Sequence, residues 1–220
     1  MNAKQAKLNL NLISYINMEL QDFIKVYNGA LPPKICHDLI DNFEKHEDSH
    51  ILSGVGVKER QDGYRSAIEL NCSVVSDTDV DMKFLLHSLN KVVMDYANLY
   101  RYEMKSKGLS DTIPESNILE EWRMHRYDEG EHFYKKHVDS ADLNSSNRML
   151  AFLFYPNTVE EGGETIFTDH LNGIECSPIQ GRLLIFPTWF GFPHEGLPVI
   201  KGTKYMLKTY LHYPGELEVE

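Results

Sequence analysis

Apolar residues recur every three or four positions in two stretches of the N-terminal half, then give way to short runs rich in β-branched and aromatic residues. Ile35, Leu39 and Phe43 stand four apart behind Pro32-Pro33, a pair suited to a first helical turn, and predict a helix over residues 33–46. Met82, Leu85, Leu86, Leu89, Val92, Val93 and Tyr96 keep a second stripe. Asp77, Thr78 and Asp79 can cap its start, and Lys105 and Lys107 place positive charge before Gly108 at its end. Residues 22–28 have β-type character, 53–63 read as a charged, glycine-bearing exposed loop, and 66–73 as a strand.

From residue 120 onward the segments 120–127, 132–138, 148–155, 164–167, 173–177, 182–187 and 203–213 read as strands separated by turn signals. Helices first and short strands afterwards is the α+β order. It predicts a sandwich or jelly roll with helices covering one sheet face. No internal repeat, low-complexity tract or interdomain linker interrupts the pattern.

The chain has 220 residues, 42% of them apolar, enough for one substantial core. A single domain is the simplest division: residues 1–115 as helical support with flanking strands, 116–213 as the β core and 214–220 as an acidic tail. The formal charge of -11 argues against a general nucleic-acid partner, because phosphate contacts need clustered Lys and Arg. Cys36, Cys72 and Cys176 are an odd number without CxxC spacing, which suits a reducing compartment better than a disulfide framework or a zinc knuckle. The first twenty residues hold no hydrophobic signal core, and eighteen consecutive apolar residues occur nowhere, so no membrane span is expected and a cytoplasmic location is.

The candidate chemistry lies in the β half. His137 and Asp139 are two apart at the end of a predicted strand, where both side chains project from one face roughly 6.6 Å apart along the chain. His194, between two further strands, is a third donor, and the set reads as a 2-His-1-carboxylate iron site with three positions left for chemistry. Lys204, ten residues on, is a cation placed for an acidic co-substrate. A second His-x-Asp triplet, His46-Glu47-Asp48, ends a predicted helix, where residues two apart do not face each other, and is set aside.

The order and spacing of the surrounding residues resemble the prolyl 4-hydroxylase family of 2-oxoglutarate- and Fe(II)-dependent oxygenases. The likeness runs from about residue 120 to 213. It begins with Tyr127, Gly130, Phe133, His137 and Asp139, and continues through Arg148, Tyr155, Glu161-Gly162-Gly163-Glu164-Thr165 and Phe167. Ser177-Pro178, the run from Gly181 to Pro187, His194-Glu195-Gly196, Pro198-Val199, Gly202 and Lys204-Tyr205 complete it.

The resemblance implies a distorted double-stranded β-helix, a jelly roll, with N-terminal helices packed on the larger sheet. It also implies Fe(II) held by His137, Asp139 and His194, with 2-oxoglutarate and O2 as co-substrates and ascorbate as a reductant. Lys204 and Thr165 would take the distal carboxylate of 2-oxoglutarate, Tyr127 would sit near its chelating end, and Tyr155 matches a position that contacts it in some relatives. Arg148, Tyr210 and Arg65 match substrate-side positions, and the implied acceptor is proline in a peptide or protein. One carboxylate and two neutral imidazoles suit Fe(II), and a buried lysine needs an anionic partner such as that distal carboxylate.

Three other readings stay open at this point. The same chemistry could act on a free amino acid, another side chain or a small metabolite. The intact triad and Lys204 speak against a metal-binding jelly roll without turnover, and a zinc hydrolase would leave Lys204 and the Gly-Gly-Glu-Thr segment without a role. Halogenation is disfavoured, since it needs the carboxylate ligand removed and Asp139 is present.

Overall fold

In the computed structural model, residues 18–53, 65–109, 113–130, 133–171 and 173–215 are described, and the two apolar stripes become the two main helices. Helix α1 (Pro33–Lys45) starts on Pro33 and buries Cys36, Leu39 and Phe43. A single turn, α2 (Cys72–Val75), cuts short the strand predicted over 66–73, because the Asn71 side chain accepts the Val74 N–H at 3.2 Å and caps a helical turn there. Helix α3 (Val80–Ser106) is capped by Asp79, whose carboxylate accepts the Met82 N–H at 2.8 Å. The predicted loop over 53–63 lies almost wholly outside the described residues.

Thirteen strands are described: β1 (Lys25–Tyr27), β2 (Ile51–Ser53), β3 (Arg65–Asn71), β4 (Arg123–Tyr127), β5 (Phe133–His137), β6 (Arg148–Tyr155), β7 (Glu161–Gly162), β8 (Thr165–Phe167), β9 (Ile174–Cys176), β10 (Arg182–Pro187), β11 (His194–Gly196), β12 (Val199–Lys201) and β13 (Lys204–His212). Runs of β-branched and aromatic residues between turn signals locate the long strands. The two- and three-residue strands β7, β11 and β12 have no such run. The main sheet follows the order β1-β10-β6-β13-β4-β3-β5-β11-β8-β9 with β2 on β3, and β12 pairs β7 separately. Strand β3 makes the bend: Ile68 to Asn71 pair with β4, whereas Arg65 and Ser66 pair with β5. The sheet thus folds over itself into the two layers of a jelly roll, with helices on the outside of the larger layer.

Both faces of the larger layer are covered, which is why β6 and β10 read as nearly continuous apolar runs. Phe152 and Phe154 on β6, Leu183 and Ile185 on β10, and Leu207 and Leu211 on β13 face the helices and join Leu39, Phe43, Met82, Leu89, Val93 and Tyr100. Ala151, Leu153 and Tyr155, Leu184 and Phe186, and Met206 and Tyr210 face inward, against Phe167 and Phe192. On β13 two inward positions break the apolar rule. Lys204 is 2% exposed and Lys208 9%, and they stand on the same interior face as Met206 and Tyr210.

Candidate active site

His137 closes β5, and the antiparallel register of β11 sets His194 directly across from it. Asp139 lies two residues past the end of β5, so it reaches the same point from the following turn rather than from the strand. That turn is tied down by the Ser140 N–H, which donates to the Thr188 carbonyl at 2.9 Å. One ligand atom from each of the three residues lies within 4.8 Å of the others, and among the described residues this is the group of His, Cys, Asp and Glu able to hold a metal ion. Asp139 Oδ1 is 3.6 Å from His137 Nε2, and Oδ2 is 3.6 Å from His194 Nε2.

The donor chemistry fits a cation. His137 Nδ1 is 2.8 Å from the Lys135 carbonyl and His194 Nδ1 is 3.0 Å from that of Phe192. A carbonyl only accepts, so each Nδ1 carries the proton and each Nε2 turns its lone pair toward the cluster, as metal-binding histidines are commonly oriented. Burial pushes His194 down to about 4, which keeps it neutral at pH 7. Burial opposes charge on Asp139, yet in acid the protonated imidazole of His194, with its neighbours His137 and Lys208, outweighs it and holds the carboxyl well below the usual range. Asp139 Oδ2 is buried and accepts no hydrogen bond, an arrangement that a metal ion would satisfy.

The other oxygen is held from behind. Tyr210 on β13 donates its hydroxyl to Asp139 Oδ1 at 2.9 Å, and burial next to Asp139 keeps that phenol protonated far above neutral pH. Arg148 donates from Nη1 to the Asp139 backbone carbonyl at 2.7 Å and lays its guanidinium 4.1 Å from the centre of the Tyr210 ring. Its remaining edge, Nε and Nη2, grips both oxygens of Glu120 at 2.6 Å. His212 Nε2 is also within 3.1 Å of Glu120. Arg148 and Tyr210, expected on the substrate side, are thus joined to Asp139 in this structure. Sequence reading missed Glu120, because its link to Arg148 spans 28 residues and no local spacing signals it.

At the other end of the pocket Lys204 Nζ donates to the Gly163 carbonyl at 2.6 Å, with the rings of Tyr127 and Tyr155 centred 5.1 and 5.6 Å away. Burial pushes the amine down to about 8. Tyr155 Oη and Thr165 Oγ1 are 2.9 Å apart beside it. The two glycines before Thr165 have a steric cause. Gly162 has φ +80°, and a Cβ there would come within 2.5 Å of the Pro198 carbonyl oxygen. Gly163, at φ +75°, turns its carbonyl toward Lys204.

One pocket joins these two ends. Tyr127, Thr165 and Lys204 line it together with His137, Asp139, His194 and Tyr210, and so do Met206 and Lys208. The Arg65 side chain lies outside the described residues. His46 of the second His-x-Asp triplet turns instead to Asp79, with Nε2 3.3 Å from its carboxylate, and Glu47–Ser49 forms a short helical turn. Tyr134, not singled out from the sequence, stacks on His137 with ring centres 3.6 Å apart and fixes that ring.

Residues 122–212 match the 2OG-Fe(II) oxygenase superfamily. No curated protein matches the chain. Among solved structures, a prolyl-4-hydroxylase of Pseudomonas putida is 17% identical, with a TM-score of 0.62 over 89% of this chain and 98% of that one. A prolyl hydroxylase of Trichoplax adhaerens, in complex with a peptide fragment of the hypoxia inducible factor oxygen degradation domain, is 15% identical with a TM-score of 0.68, covering 96% and 94%. The viral collagen prolyl hydroxylase of Paramecium Bursaria Chlorella virus-1, in complex with 2OG, is 18% identical with a TM-score of 0.60, covering 91% and 100%. At such identities these three share the double-stranded β-helix with this chain. The match over 122–212 and the shared fold make the β half of this chain similar to the 2OG-Fe(II) oxygenase superfamily.

Proposed function

We propose that this chain is a dioxygenase that hydroxylates proline in a peptide or protein, with His137, Asp139 and His194 holding Fe(II) and Lys204 holding the distal carboxylate of 2-oxoglutarate. The observation that carries the reading is a buried carboxylate oxygen, Asp139 Oδ2, without a hydrogen bond, in the same pocket as a buried ammonium, Lys204. Each is costly alone, and each is satisfied by one part of the superfamily's cofactor pair. With that pair bound, the chemistry supplied is oxidative decarboxylation of 2-oxoglutarate to succinate and CO2, coupled to placing one oxygen atom in a C–H bond.

The chain's own residues then have definite tasks. Both Nε2 atoms and the Asp139 carboxylate bind the metal on one side and leave its other side to the pocket. The Lys204 ammonium, kept in place by the Gly163 carbonyl, pairs with the distal carboxylate, and the Thr165 and Tyr155 hydroxyls can add hydrogen bonds to it. Tyr127 closes the pocket wall next to Lys204. Burial of this end keeps water from competing for the charge pair.

Proline is supported by the three similar structures, which are all named as prolyl hydroxylases, and a peptide acceptor by the Trichoplax complex. One functional unit spanning residues 1–220 is supported by β1 and β3, which come from the N-terminal half yet pair within the sheet of the site. Three buried free cysteines favour a reducing, cytoplasmic setting, and among the described residues no helix is long and apolar enough to cross a membrane.

Succinate release with Fe(II), ascorbate and 2-oxoglutarate across a library of proline-containing and proline-free peptides tests the reading. Release that depends on a proline peptide, with a hydroxyproline product, is the expected result. Coupled turnover only with free amino acids or small metabolites would reject the peptide acceptor. Absence of any charge-transfer band on anaerobic mixing with Fe(II) and 2-oxoglutarate would reject the oxygenase assignment itself.

A further inference from the structure

The turn between β10 and β11 displays two aromatic rings that have no part in the site described so far. Strand register fixes which side of the metal ligands it occupies. Lys204, at the start of β13, pairs with Tyr127, and six residues on, roughly 20 Å along the strand, Tyr210 reaches Asp139. The next residue, Leu211, pairs with Leu150, and Leu150 pairs with Pro187, the last residue of β10. Both strands run antiparallel to β6, so β10 leaves the sheet at the end beyond Asp139, away from Lys204. The turn is built to hold its rings still. The Phe192 N–H donates to the Trp189 carbonyl at 3.0 Å, Phe192 is buried in the inner core, and the Trp189 ring packs edge-on against it with centres 5.2 Å apart. A Cβ at position 191 would come within 2.3 Å of the indole, so Gly191 lets that ring lie over the backbone. Phe190 stands beside it, ring centres 5.0 Å apart. Trp189 is nevertheless 38% exposed and Phe190 81%. Burial in the core does not account for Phe190, and apolar rings fixed toward water beside a pocket mark a binding surface.

We propose that Trp189 and Phe190 form a docking surface for the acceptor polypeptide and take a prolyl or other apolar residue next to the one hydroxylated. The inference rests on the peptide-acceptor reading and adds to it a preference in the flanking sequence. Position and chemistry select this occupant. The keto acid extends from the metal ligands toward Lys204, which leaves the end beyond Asp139 for the acceptor chain. The turn is joined to that end directly: the Thr188 carbonyl accepts the N–H of Ser140, the residue after Asp139, and Phe190 precedes His194 by four residues. Its side chains from Trp189 to Pro193 include no charged or hydroxyl group. Flat aromatic faces held in place suit the rigid, apolar ring of proline, as aromatic-lined grooves do for extended proline-rich segments.

The test measures hydroxylation of short peptides whose single target proline is flanked either by proline and leucine or by serine, in wild type, Phe190→Ser and Trp189→Ser. A wild-type kcat/KM about tenfold higher with the apolar flanks, carried by KM and lost in both variants while the 2-oxoglutarate requirement is unchanged, supports the proposal. Fluorescence adds a readout without turnover. The chain has two tryptophans, and Trp122 is buried with its indole N–H bonded to Asn90, so Trp189 reports on the surface. In oxygen-free solution with Mn(II) and 2-oxoglutarate, the apolar-flanked peptide should shift its emission to shorter wavelength and the serine-flanked peptide should not. Equal kcat/KM for the two peptides, or a preference that survives in Phe190→Ser, overturns the docking surface and leaves the peptide acceptor standing. A wild type that hydroxylates neither peptide overturns the peptide acceptor and the docking surface with it. A wild-type dimer that Phe190→Ser dissociates, with flank preference unchanged, overturns the proposal in favour of a second copy of this chain. Should Trp189→Ser fail to fold, Phe190→Ser, at the more exposed position, decides by the same outcomes.

Discussion

Replacing Lys204 with methionine separates the cost of a buried ammonium from its use. The amine moves from an ordinary 10.5 to about 8 because burial disfavours its charge. Each unit corresponds to about 1.4 kcal/mol, so the charged form carries about 3 kcal/mol of strain without its ligand. Below pH 8 the folded and unfolded chains both hold the proton, and the whole penalty is present. Between pH 8 and 10.5 only the unfolded chain still holds it, so wild-type stability rises with pH relative to the variant. The free-energy difference between Lys204→Met and wild type should therefore shift by about 3 kcal/mol in favour of wild type between pH 7 and 10.5. Urea unfolding at a series of pH values measures it. Ligand binding should move oppositely: losing one partner of a buried charge pair costs about 3 to 5 kcal/mol, or roughly two to four orders of magnitude in 2-oxoglutarate affinity. In wild type that affinity should fall up to tenfold per unit as pH climbs above 8. A stability difference flat in pH, together with unchanged 2-oxoglutarate binding in the variant, would refute the placement of this charge.

Asp139→Ala should abolish metal binding and succinate formation while costing about 1–3 kcal/mol of stability through the orphaned Tyr210 hydroxyl; calorimetry with Mn(II) and a melting curve check both parts. Glu120→Gln should lower metal affinity about 10–100-fold by loosening Arg148 behind Asp139, yet leave the distal carboxylate contact intact, so keto-acid binding at saturating metal should stay near wild type. Gly162→Ala should destabilise the chain by several kcal/mol, because its Cβ meets the Pro198 carbonyl and its φ is positive; denaturant titration reads the loss. The native protein should resist thiol reagents at pH 8, since all three cysteines are buried and Cys72 is pushed up to about 12; rapid labelling without denaturant would contradict that burial.

Local pattern alone determined the two long helices and the long strands, because capping residues, a period of 3.6 and runs of β-type residues are properties of consecutive positions. The cap at Asp79, the proline at the first helical position, Pro33, and the runs 148–155 and 182–187 needed no knowledge of neighbours. The same holds for His137, Asp139, His194 and Lys204, whose spacing drew attention before any coordinates. The strands at 194–196 and 199–201 escaped, since they carry no run of β-type residues between turn signals and exist only by pairing.

Only the tertiary structure decided what those side chains do. Strand register put His194 opposite His137, and the bend in β3 closed the two layers over a common pocket. Contacts between distant residues turned Arg148 toward Glu120 and Asp139, and desolvation set Lys204 at about 8 and His194 at about 4. Lys208 went unnoticed in the sequence, because its face became an interior only once the helices covered the other one. Sequence spacing is a one-dimensional property of the chain, whereas burial and charge proximity depend on which segments come to lie side by side.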